Sequence, residues 1–384
     1  MVKKYLNKKK TQQKKEKKKQ QEKKEKRVTK KKTIKPKKEI QKEEKHHKFE
    51  LVSALEFEDI LSKVIPLKGG KYGVLSESGE FLIFSINKKK QLVKDLAFQI
   101  PGANLFCQLG NGIFVFNSFD HINLWEIKGT KMNALREYKS ILGLVVYSME
   151  PIYDDYCAIS GPNDIIELIQ FGPKNKIPVI YLDYQESKSK NKKRKKTTKD
   201  FSPSGIGCLY FQKKHNRLLA THFNNILRVW NCDFKKSKYE LFKEVDYITN
   251  FSGKIIHEMK NKILIGGRDV ITILNNDNYE ITDFVDLGDK GYDIFSMEII
   301  NYYNFKEFVI CGLRNGKILG VDITNKRIEF VKVKKNDTGK DNEMNVKEGK
   351  LTFYGENISY ISKVGNTNMI LVASHDHVLK LFEY

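Results

Sequence analysis

The sequence lacks the features that would mark a secreted, membrane-spanning or disulfide-stabilised protein. Its amino-terminal stretch, MVKKYLNKKK, contains no apolar run, so we expect no secretory signal. No window approaches the roughly 18 consecutive apolar residues that a membrane span needs. The cysteines are odd in number, far apart and without a CxxC pair, and they are Cys107, Cys157, Cys208, Cys232 and Cys311. We therefore expect reduced core thiols in an intracellular protein.

Motifs that carry catalysis are also missing from the 384 residues. There is no nucleophile elbow, no HExxH and no Walker sequence. His375 and His377 flank Asp376, but no third ligand lies at a useful spacing, so a polar corner between strands explains them better than a metal site. Gly266 and Gly267 precede no helix and are interpreted as a turn, not as a phosphate cradle. The sequence therefore predicts no enzyme, no metal and no cofactor.

Charge is abundant but unevenly placed. The net charge is +23, and residues 1–46 hold 22 basic and 6 acidic residues, a net of +16. Residues 186–200 hold 8 basic and 2 acidic residues, a net of +6. The remainder is nearly neutral, so a neutral globular body carries two cationic segments. Residues 1–46 have almost no apolar content, and we expect a disordered or partly helical tail there.

The basic run inside residues 186–200 is the sharpest candidate for binding a polyanion. A flexible loop of this kind can occupy acidic grooves of a nuclear import receptor or contact RNA phosphates. Its basic residues are Lys188, Lys190, Lys192, Lys193, Arg194, Lys195, Lys196 and Lys199. The alternative is a solvated loop without a partner, because lysine tracts also arise from AT-rich codons.

Neither cationic segment has interleaved aromatic residues, and Tyr5 is the one aromatic in residues 1–46. We therefore predict only non-specific contact with RNA or another polyanion through residues 1–46 and 186–200. We expect an intracellular location, in the nucleus or nucleolus or in the cytoplasm, and the basic run at 188–196 favours the nucleus.

From Phe49 onward, short strands recur in one design. Seven segments each consist of a small apolar strand, a polar corner, and a strand ending in a bulky residue before a polar one. The seven bulky anchors are Phe84, Trp125, Ile169, Trp230, Leu274, Val321 and Phe382. Their spacings are 41, 44, 61, 44, 47 and 61 residues, and the two long intervals contain the polar stretches 186–200 and 334–350. Without these inserts, every repeat is 41 to 47 residues long, close to the roughly 40–45 residues of a four-stranded blade.

These repeats resemble the WD40-repeat β-propeller family over about residues 49–384. The nearest matches to its Trp-Asp pair are Trp125-Glu126, Trp230-Asn231 and Val321-Asp322. The usual Gly-His dipeptide is absent, so the family's Asp-His-Ser/Thr-Trp hydrogen-bond network is complete in no repeat, and Ser374 and Asp376 keep half of it. The resemblance implies an all-β, seven-bladed propeller.

The last repeat is one strand short of a blade, because the chain ends at Tyr384. A strand beginning at Phe49 and Leu51 is predicted to pair with the strand that contains Val378 and Leu381. This pairing would close the ring and protect the sheet edges. The predicted organisation is a lysine-rich tail at 1–46 and a propeller at 47–384 with inserts at 186–200 and 334–350.

The resemblance implies a non-catalytic protein-interaction scaffold. We expect a monomeric propeller that binds other proteins through its faces, as a subunit of a larger assembly, with the cationic tail and loop adding electrostatic anchoring. Two alternatives remain open: a nuclear or nucleolar ribonucleoprotein factor that contacts RNA phosphates, and a ciliary or cytoskeletal adaptor whose tail lies on an acidic polymer.

Overall fold

The structure, a computed structural model, describes residues 48–143, 145–171, 179–183, 205–247, 255–288, 291–301, 305, 307–330, 332–333 and 358–384. The chain divides into two units, Met1–His46 and His47–Tyr384, and all described residues belong to the second. The predicted inserts at 186–200 and 334–350 and the tail at 1–46 lie outside the described residues.

The second unit contains seven sheets, six of them antiparallel and one with an additional parallel strand, and the blades are numbered here in chain order. Blades one and two contain β2 (Leu61–Pro66), β3 (Tyr72–Ser76), β4 (Glu80–Ile86), β5 (Leu92–Gln99), β6 (Ala103–Gln108), β7 (Phe114–Ser118), β8 (His121–Lys128) and β9 (Lys131–Lys139). Blades three and four contain β10 (Ser148–Ile152), β11 (Tyr156–Ser160), β12 (Ile165–Gln170), β13 (Val179–Asp183), β14 (Ile206–Gln212), β15 (Arg217–His222), β16 (Ile226–Asp233) and β17 (Lys238–Asp246). A short 3-10 helix, Lys213–His215, joins β14 to β15.

Blades five and six contain β18 (Ile255–Met259), β19 (Lys262–Gly266), β20 (Val270–Asn275), β21 (Ile281–Asp286), β22 (Ile294–Ile300), β23 (Phe308–Leu313), β24 (Ile318–Asp322) and β25 (Arg327–Phe330). Blade seven contains β26 (Lys332–Val333), β27 (Ile358–Lys363), β28 (Met369–Ser374), β29 (Val378–Glu383) and, from the start of the chain, β1 (Lys48–Glu56). The predicted seven-bladed, all-β propeller is therefore confirmed.

The ring is closed through the inner strands. The first strand of each blade contacts the first strand of the next, and β27 of blade seven contacts β2 of blade one. The outer strand of blade seven is β1, which runs antiparallel to β29 with Leu51 opposite Phe382 and Glu56 opposite Val378. This confirms the predicted closure. Phe49 is buried at this seam, and its ring lies 5.5 Å from that of Tyr384.

Blade seven differs from the predicted four-stranded form. Strand β26 adds a fifth strand, parallel to β1, with Lys332 opposite Lys48 and Val333 opposite Phe49. The reason is that β1 would otherwise offer unpaired backbone groups at the outer edge of the sheet, and a short passing segment can pair with them.

The core lies between blades. Seven apolar clusters occur, and each is shared by two neighbouring blades, one for every junction of the ring. The second strands β3, β7 and β11 are buried along their whole length. The fourth strand β17 instead alternates exposed and half-buried residues, as a strand with one solvated face does. Apolar runs inside and alternating patterns outside therefore follow from the position of each strand in its blade.

Two identical tripeptides hold neighbouring inner strands together, and sequence analysis did not single them out. In β10, the Ser148 hydroxyl oxygen accepts a hydrogen bond from the Leu209 backbone N–H (3.0 Å), and Glu150 Oε1 accepts one from the Phe211 N–H (3.0 Å). Because Leu209 and Phe211 belong to β14, these bonds join blade three to blade four. The signal in the sequence is the repetition of Ser-Met-Glu in one register.

The second tripeptide repeats this arrangement between blades six and seven. In β22, the Ser296 hydroxyl oxygen accepts from the Ile361 N–H (2.7 Å), and Glu298 Oε2 accepts from the Lys363 N–H (3.1 Å). We call these two sets of contacts the Ser-x-Glu clamps. Each clamp bridges a junction that also contains one of the long inserts, between Asp183 and Gly205 in one case and after Val333 in the other.

Candidate interaction face

One face of the ring is built from the corners between second and third strands and from the connections that lead to the next blade. The Phe119 N–H in the corner of blade two donates to the Gly102 carbonyl in the connection from blade one (3.3 Å). The Phe223 N–H in the corner of blade four donates to the Gly205 carbonyl (3.0 Å). Such bonds recur around the ring, so the corners and the connections form a single surface, which we call the connection face.

Exposed apolar side chains are concentrated on one sector of this face. Among the described residues, twelve large apolar side chains are exposed. Six lie on fourth strands at the outer rim, distributed over five blades, and Tyr153 lies in a turn on the opposite face. The other five lie on the connection face of blades two to four and form what we call the apolar patch: Phe119, Ile141, Val145, Tyr147 and Phe223.

The corner that carries Phe119 has an unusual backbone. Phe119 has φ +52° and its side chain is 60% exposed. The residues with positive φ in the other corners are Gly79, Asn225, Asp269, Gly316 and His377. Glycine and small polar residues tolerate this left-handed region, whereas a bulky residue there is an outlier. The backbone therefore holds an aromatic side chain at the surface in a conformation that its residue type disfavours, as it also does at Tyr153 (φ +53°) on the opposite face.

The connection from blade two to blade three presents apolar side chains in both directions. Leu142 and Val146 point into the core shared by blades two and three, while Ile141 and Val145 are exposed. The buried side chains of Leu142 and Val146 anchor the connection to the core. Ile141 and Val145 are thereby held at the surface, where their apolar side chains contact water.

A buried carboxylate positions the start of this connection. Glu167 on β12 is fully buried, and its Oε1 accepts hydrogen bonds from the Ile141 N–H (2.7 Å) and the Ser140 hydroxyl (3.1 Å). The Ser140 hydroxyl oxygen in turn accepts from the Leu142 N–H (3.0 Å). Burial raises the pKa of Glu167, while these donors oppose the rise. A polar network thus sets where Ile141 is presented.

Close backbone contacts join the patch across blades three and four. A Cβ atom at Gly161 would lie 2.6 Å from the Val145 carbonyl oxygen, so only glycine allows this approach. Gly205 packs beside Gly161 and the Phe223 ring. The rings of Tyr147 and Phe223 are 5.3 Å apart and tilted by 52°, an interaction between neighbouring blades.

Charged residues border the patch on both sides. Beside Phe119, the His121 ring contacts Asp120 (2.7 Å) and Glu137 (3.0 Å), and Lys139 contacts Asp120 (3.3 Å). A hydrogen bond from Lys139 lowers the pKa of Asp120. This arrangement forms a polar edge on the blade-two side.

The charged residues that border the apolar patch at blade four are more deeply buried than those at blade two. Asp164 lies 3.1 Å from His222 and 3.6 Å from Arg228, and Arg228 Nε donates to Glu244 (3.1 Å). His222 and Arg228 are almost fully buried. An apolar centre surrounded by paired polar groups is the usual anatomy of a protein–protein interface.

The predicted site residues fall into three groups. The basic run from Lys188 to Lys199 lies in the undescribed segment 184–204, which joins the described chain at Asp183 and Gly205. The four closure residues lie on the paired strands β1 and β29. The seven anchors all lie on third strands, one in each blade: Phe84, Trp125, Ile169, Trp230, Leu274, Val321 and Phe382.

The tryptophan anchors lack the hydrogen-bond network of a complete repeat. Within the described part of the chain, neither the Trp125 nor the Trp230 indole N–H finds an acceptor. In blade seven, Asp376 contacts both the Ser374 hydroxyl and the buried Lys380 ammonium. The half-network expected there is therefore completed by a lysine instead of a tryptophan.

Sequence reasoning missed the apolar patch. None of its five residues is among the site residues predicted from the sequence. A usable signal was present, because apolar residues occupy corner and connection positions where polar ones are expected. Their proximity in space was not visible, since the patch draws on three blades.

No metal site or membrane span is evident in the described ranges. No group of three or more His, Cys, Asp or Glu side chains there could hold a metal ion. None of the helices within those ranges is long and apolar enough to cross a membrane.

Comparison with known proteins extends the description of the fold. No protein-family model matches the chain, and no curated protein matches it significantly in sequence. Solved structures do match, and among them is the WD40 β-propeller domain of Doa1. It aligns with a TM-score of 0.61 at 11% sequence identity, over 87% of this chain and 97% of that domain. The likeness shows that the chain has the fold of a WD40 β-propeller.

Proposed function

We propose that this propeller is a non-catalytic protein-interaction scaffold, a subunit of a larger assembly, and that a protein partner binds the apolar patch on the connection face. The observation that carries the proposal is the concentration of five exposed apolar side chains on three adjacent blades. WD40-type propellers are generally interaction scaffolds, so the fold agrees with this use.

The physical chemistry of the patch favours association. Removing apolar surface from water contributes about 25 cal/mol per Å², and aromatic side chains contribute most at interface centres. Phe119 and Phe223 provide rigid aromatic anchors, and the paired charges at both edges supply a polar rim. The left-handed backbone of Phe119 costs the free protein roughly 1–2 kcal/mol. A cost of this kind persists where the exposed side chain is useful.

The cationic segments 1–46 and 186–200 would add electrostatic anchoring to an acidic partner or polymer. Residues 186–200 carry a net charge of +6 and are joined to the described chain at Gly205, beside Phe223 of the patch. Charges of this kind accelerate encounter and weaken with salt.

The patch is tested by the double variant Phe119→Asn/Ile141→Ser. Both side chains are more than half exposed, so the variant should fold. Asn accepts the left-handed backbone without strain, and the melting temperature should rise or stay unchanged. Tagged full-length chains would be purified from their own cells at matched levels, and co-purifying proteins would be quantified. We expect the stoichiometric partners to fall at least tenfold.

The matched control is Val93→Ser/Leu135→Ser, which removes two exposed apolar side chains from the outer rim of blades one and two. It should retain the same partners. Loss of partners in the rim control with retention in the patch variant would place the binding surface elsewhere.

The electrostatic contribution has a separate test. Deleting residues 186–200 should lower partner association most at low salt and little at high salt. Steeply salt-dependent RNA retention that is lost on deleting 1–46 and 186–200, with protein partners unaffected by the patch variant, would instead favour the ribonucleoprotein alternative. Microtubule co-sedimentation that depends on residues 1–46 would favour the cytoskeletal one. Comparing the location of a tagged full-length chain with that of a chain lacking 186–200 tests nuclear import.

A further inference from the structure

Two of the five cysteines approach each other closely inside the ring. All five are free and buried. The Cys107 and Cys157 sulfurs lie 3.7 Å apart, although the residues are 50 positions apart in the sequence. Cys107 is on β6, the inner strand of blade two, and Cys157 is on β11, the second strand of blade three. The pair therefore spans a junction between blades.

The surroundings of the pair favour a defined sulfur–sulfur contact. Both residues belong to the apolar cluster shared by blades two and three, together with Leu142, Val146 and Met149. A disulfide bond is about 2 Å long, so the two sulfurs need to approach by less than 2 Å from their present separation. No third thiol is hydrogen-bonded to either sulfur among the contacts described.

We propose that Cys107 and Cys157 form a reversible disulfide between blades two and three when the protein meets hydrogen peroxide. One thiol reacts first with peroxide, giving a sulfenic acid and one water molecule. The neighbouring thiol then attacks the sulfenic sulfur, the S–S bond forms, and a second water molecule leaves. Two thiols lose two electrons and two protons in total, and peroxide is reduced to two water molecules. A dithiol reductant reverses the change by thiol–disulfide exchange.

The reduced form is the resting state. Burial, together with the adjacent Cys107 thiol, raises the pKa of Cys157 well above its ordinary value, so thiolate is scarce. Oxidation is accordingly slow and needs a small oxidant that can penetrate the core. Because Leu142 and Val146 pack in the same cluster, the bond would fix the junction directly beneath the connection that presents Ile141 and Val145.

The test uses the full-length wild-type protein treated with hydrogen peroxide under native conditions, with alkylation of the remaining thiols. The expected product is about 2 Da lighter before alkylation, and its digest contains a peptide linking residues 107 and 157 at more than tenfold the yield of any other pair. A dithiol should reverse it. The oxidised protein should also melt several degrees higher than the reduced protein, because the bond closes a long loop in the unfolded chain.

Variants separate this pair from general oxidation. Cys157→Ala should abolish the linked peptide, whereas Cys311→Ala, which removes a buried thiol in blade six, should leave its yield unchanged. The wild-type comparison does not depend on any variant folding. The proposal is overturned if native protein yields no 107–157 link, if sulfinic acid forms there instead, or if the link appears only when the chain is unfolded in urea before oxidation.

Discussion

The junction between blades one and two and the two junctions that contain inserts are held together in different ways. Between blades one and two the connection is short, since β5 ends at Gln99 and β6 begins at Ala103. The core there is aromatic, and the Phe81 ring lies 5.0 Å from Phe106 and 5.1 Å from Phe116. Packing of large rings, with edge-to-face geometry, dominates this junction.

The connections between blades three and four and between blades six and seven are much longer in sequence, since β13 ends at Asp183 and β14 begins at Ile206, and β26 ends at Val333 and β27 begins at Ile358. There the Ser-x-Glu clamps join one inner strand to the next by hydrogen bonds from backbone N–H groups to side-chain oxygens. A long connection places the next blade less tightly than a short one, because its ends have more conformations to choose from. We infer that directional bonds help to set the strand register where the connection is long in sequence, whereas shape complementarity suffices where it is short.

The largest effect is expected from removing β1, the N-terminal strand that completes blade seven. Deleting Lys48–Glu56 removes β1, exposes the edge of β29 and uncovers the buried cluster around Phe382. We expect an open ring that aggregates and shows no cooperative melting, measured by size-exclusion chromatography and circular dichroism. Deleting residues 1–45 should leave the melting curve unchanged, and similar behaviour of the two deletions would contradict the closure.

The second-largest effect is expected at the aromatic junction between blades one and two. Phe81→Ala removes a fully buried ring that contacts four other phenylalanines. The expected loss in the free energy of unfolding is about 3–5 kcal/mol, from lost apolar burial and a residual cavity. Urea denaturation measures it. Leu135→Ala at the exposed rim should change stability by less than about 0.5 kcal/mol, and equal losses in the two variants would argue against a packed junction.

The clamps should respond less strongly. Ser296→Ala leaves the Ile361 N–H without its acceptor, and the expected cost is about 1–2 kcal/mol. Ser148→Ala should cost a similar amount at the other clamp, and the two losses should add because they lie in different junctions. Ser62→Ala is the control, since the Ser62 hydroxyl donates to Leu75 within its own blade. A greater loss of unfolding free energy for Ser62→Ala than for Ser296→Ala would contradict a special role of the clamps in stability.

The pH dependence of the first clamp is a separate predicted effect, which appears in the wild-type protein without any substitution. Burial raises the pKa of Glu150 from its ordinary 4.5 to about 7, although the Phe211 N–H and the nearby Lys63 and Lys213 favour the carboxylate. Between pH 4.5 and about 7, the Glu150 carboxyl stays protonated in the folded state but is ionised in the unfolded chain. The stability contribution is therefore fully present below pH 4.5 and is lost as the pH rises through about 7, by about 3 kcal/mol.

The measurement is the urea-unfolding free energy of wild type and of Glu150→Gln between pH 5 and 8. The variant should lose this part of the decline, since a glutamine does not titrate. Glu240→Gln, at an exposed position on β17 where the carboxylate pairs with Lys238, should retain the wild-type slope. An unchanged slope in Glu150→Gln would show that another group is responsible.

Sequence patterns predicted the fold well because their causes are local. Each anchor from Phe84 to Phe382 lies in the second half of a strand whose apolar pattern and preceding corner fall within about ten residues, and the interval between anchors gave the blade count. The closing strand at Phe49 was predicted because the last repeat was incomplete. Strand β26 was missed, since it is two residues long and lies directly before the polar stretch 334–350, and so short a segment carries no recognisable strand pattern.

The chain's own pattern therefore determined the number of blades, the third-strand anchors and the need for an N-terminal closing strand, because period-two alternation and repeat length require no knowledge of distant residues. Only the tertiary structure decided which side chains meet. The apolar patch draws on blades two to four, each Ser-x-Glu clamp joins residues about 60 positions apart, and Cys107 meets Cys157 across a junction. Closing the ring brings these residues together, and no local propensity encodes such proximity.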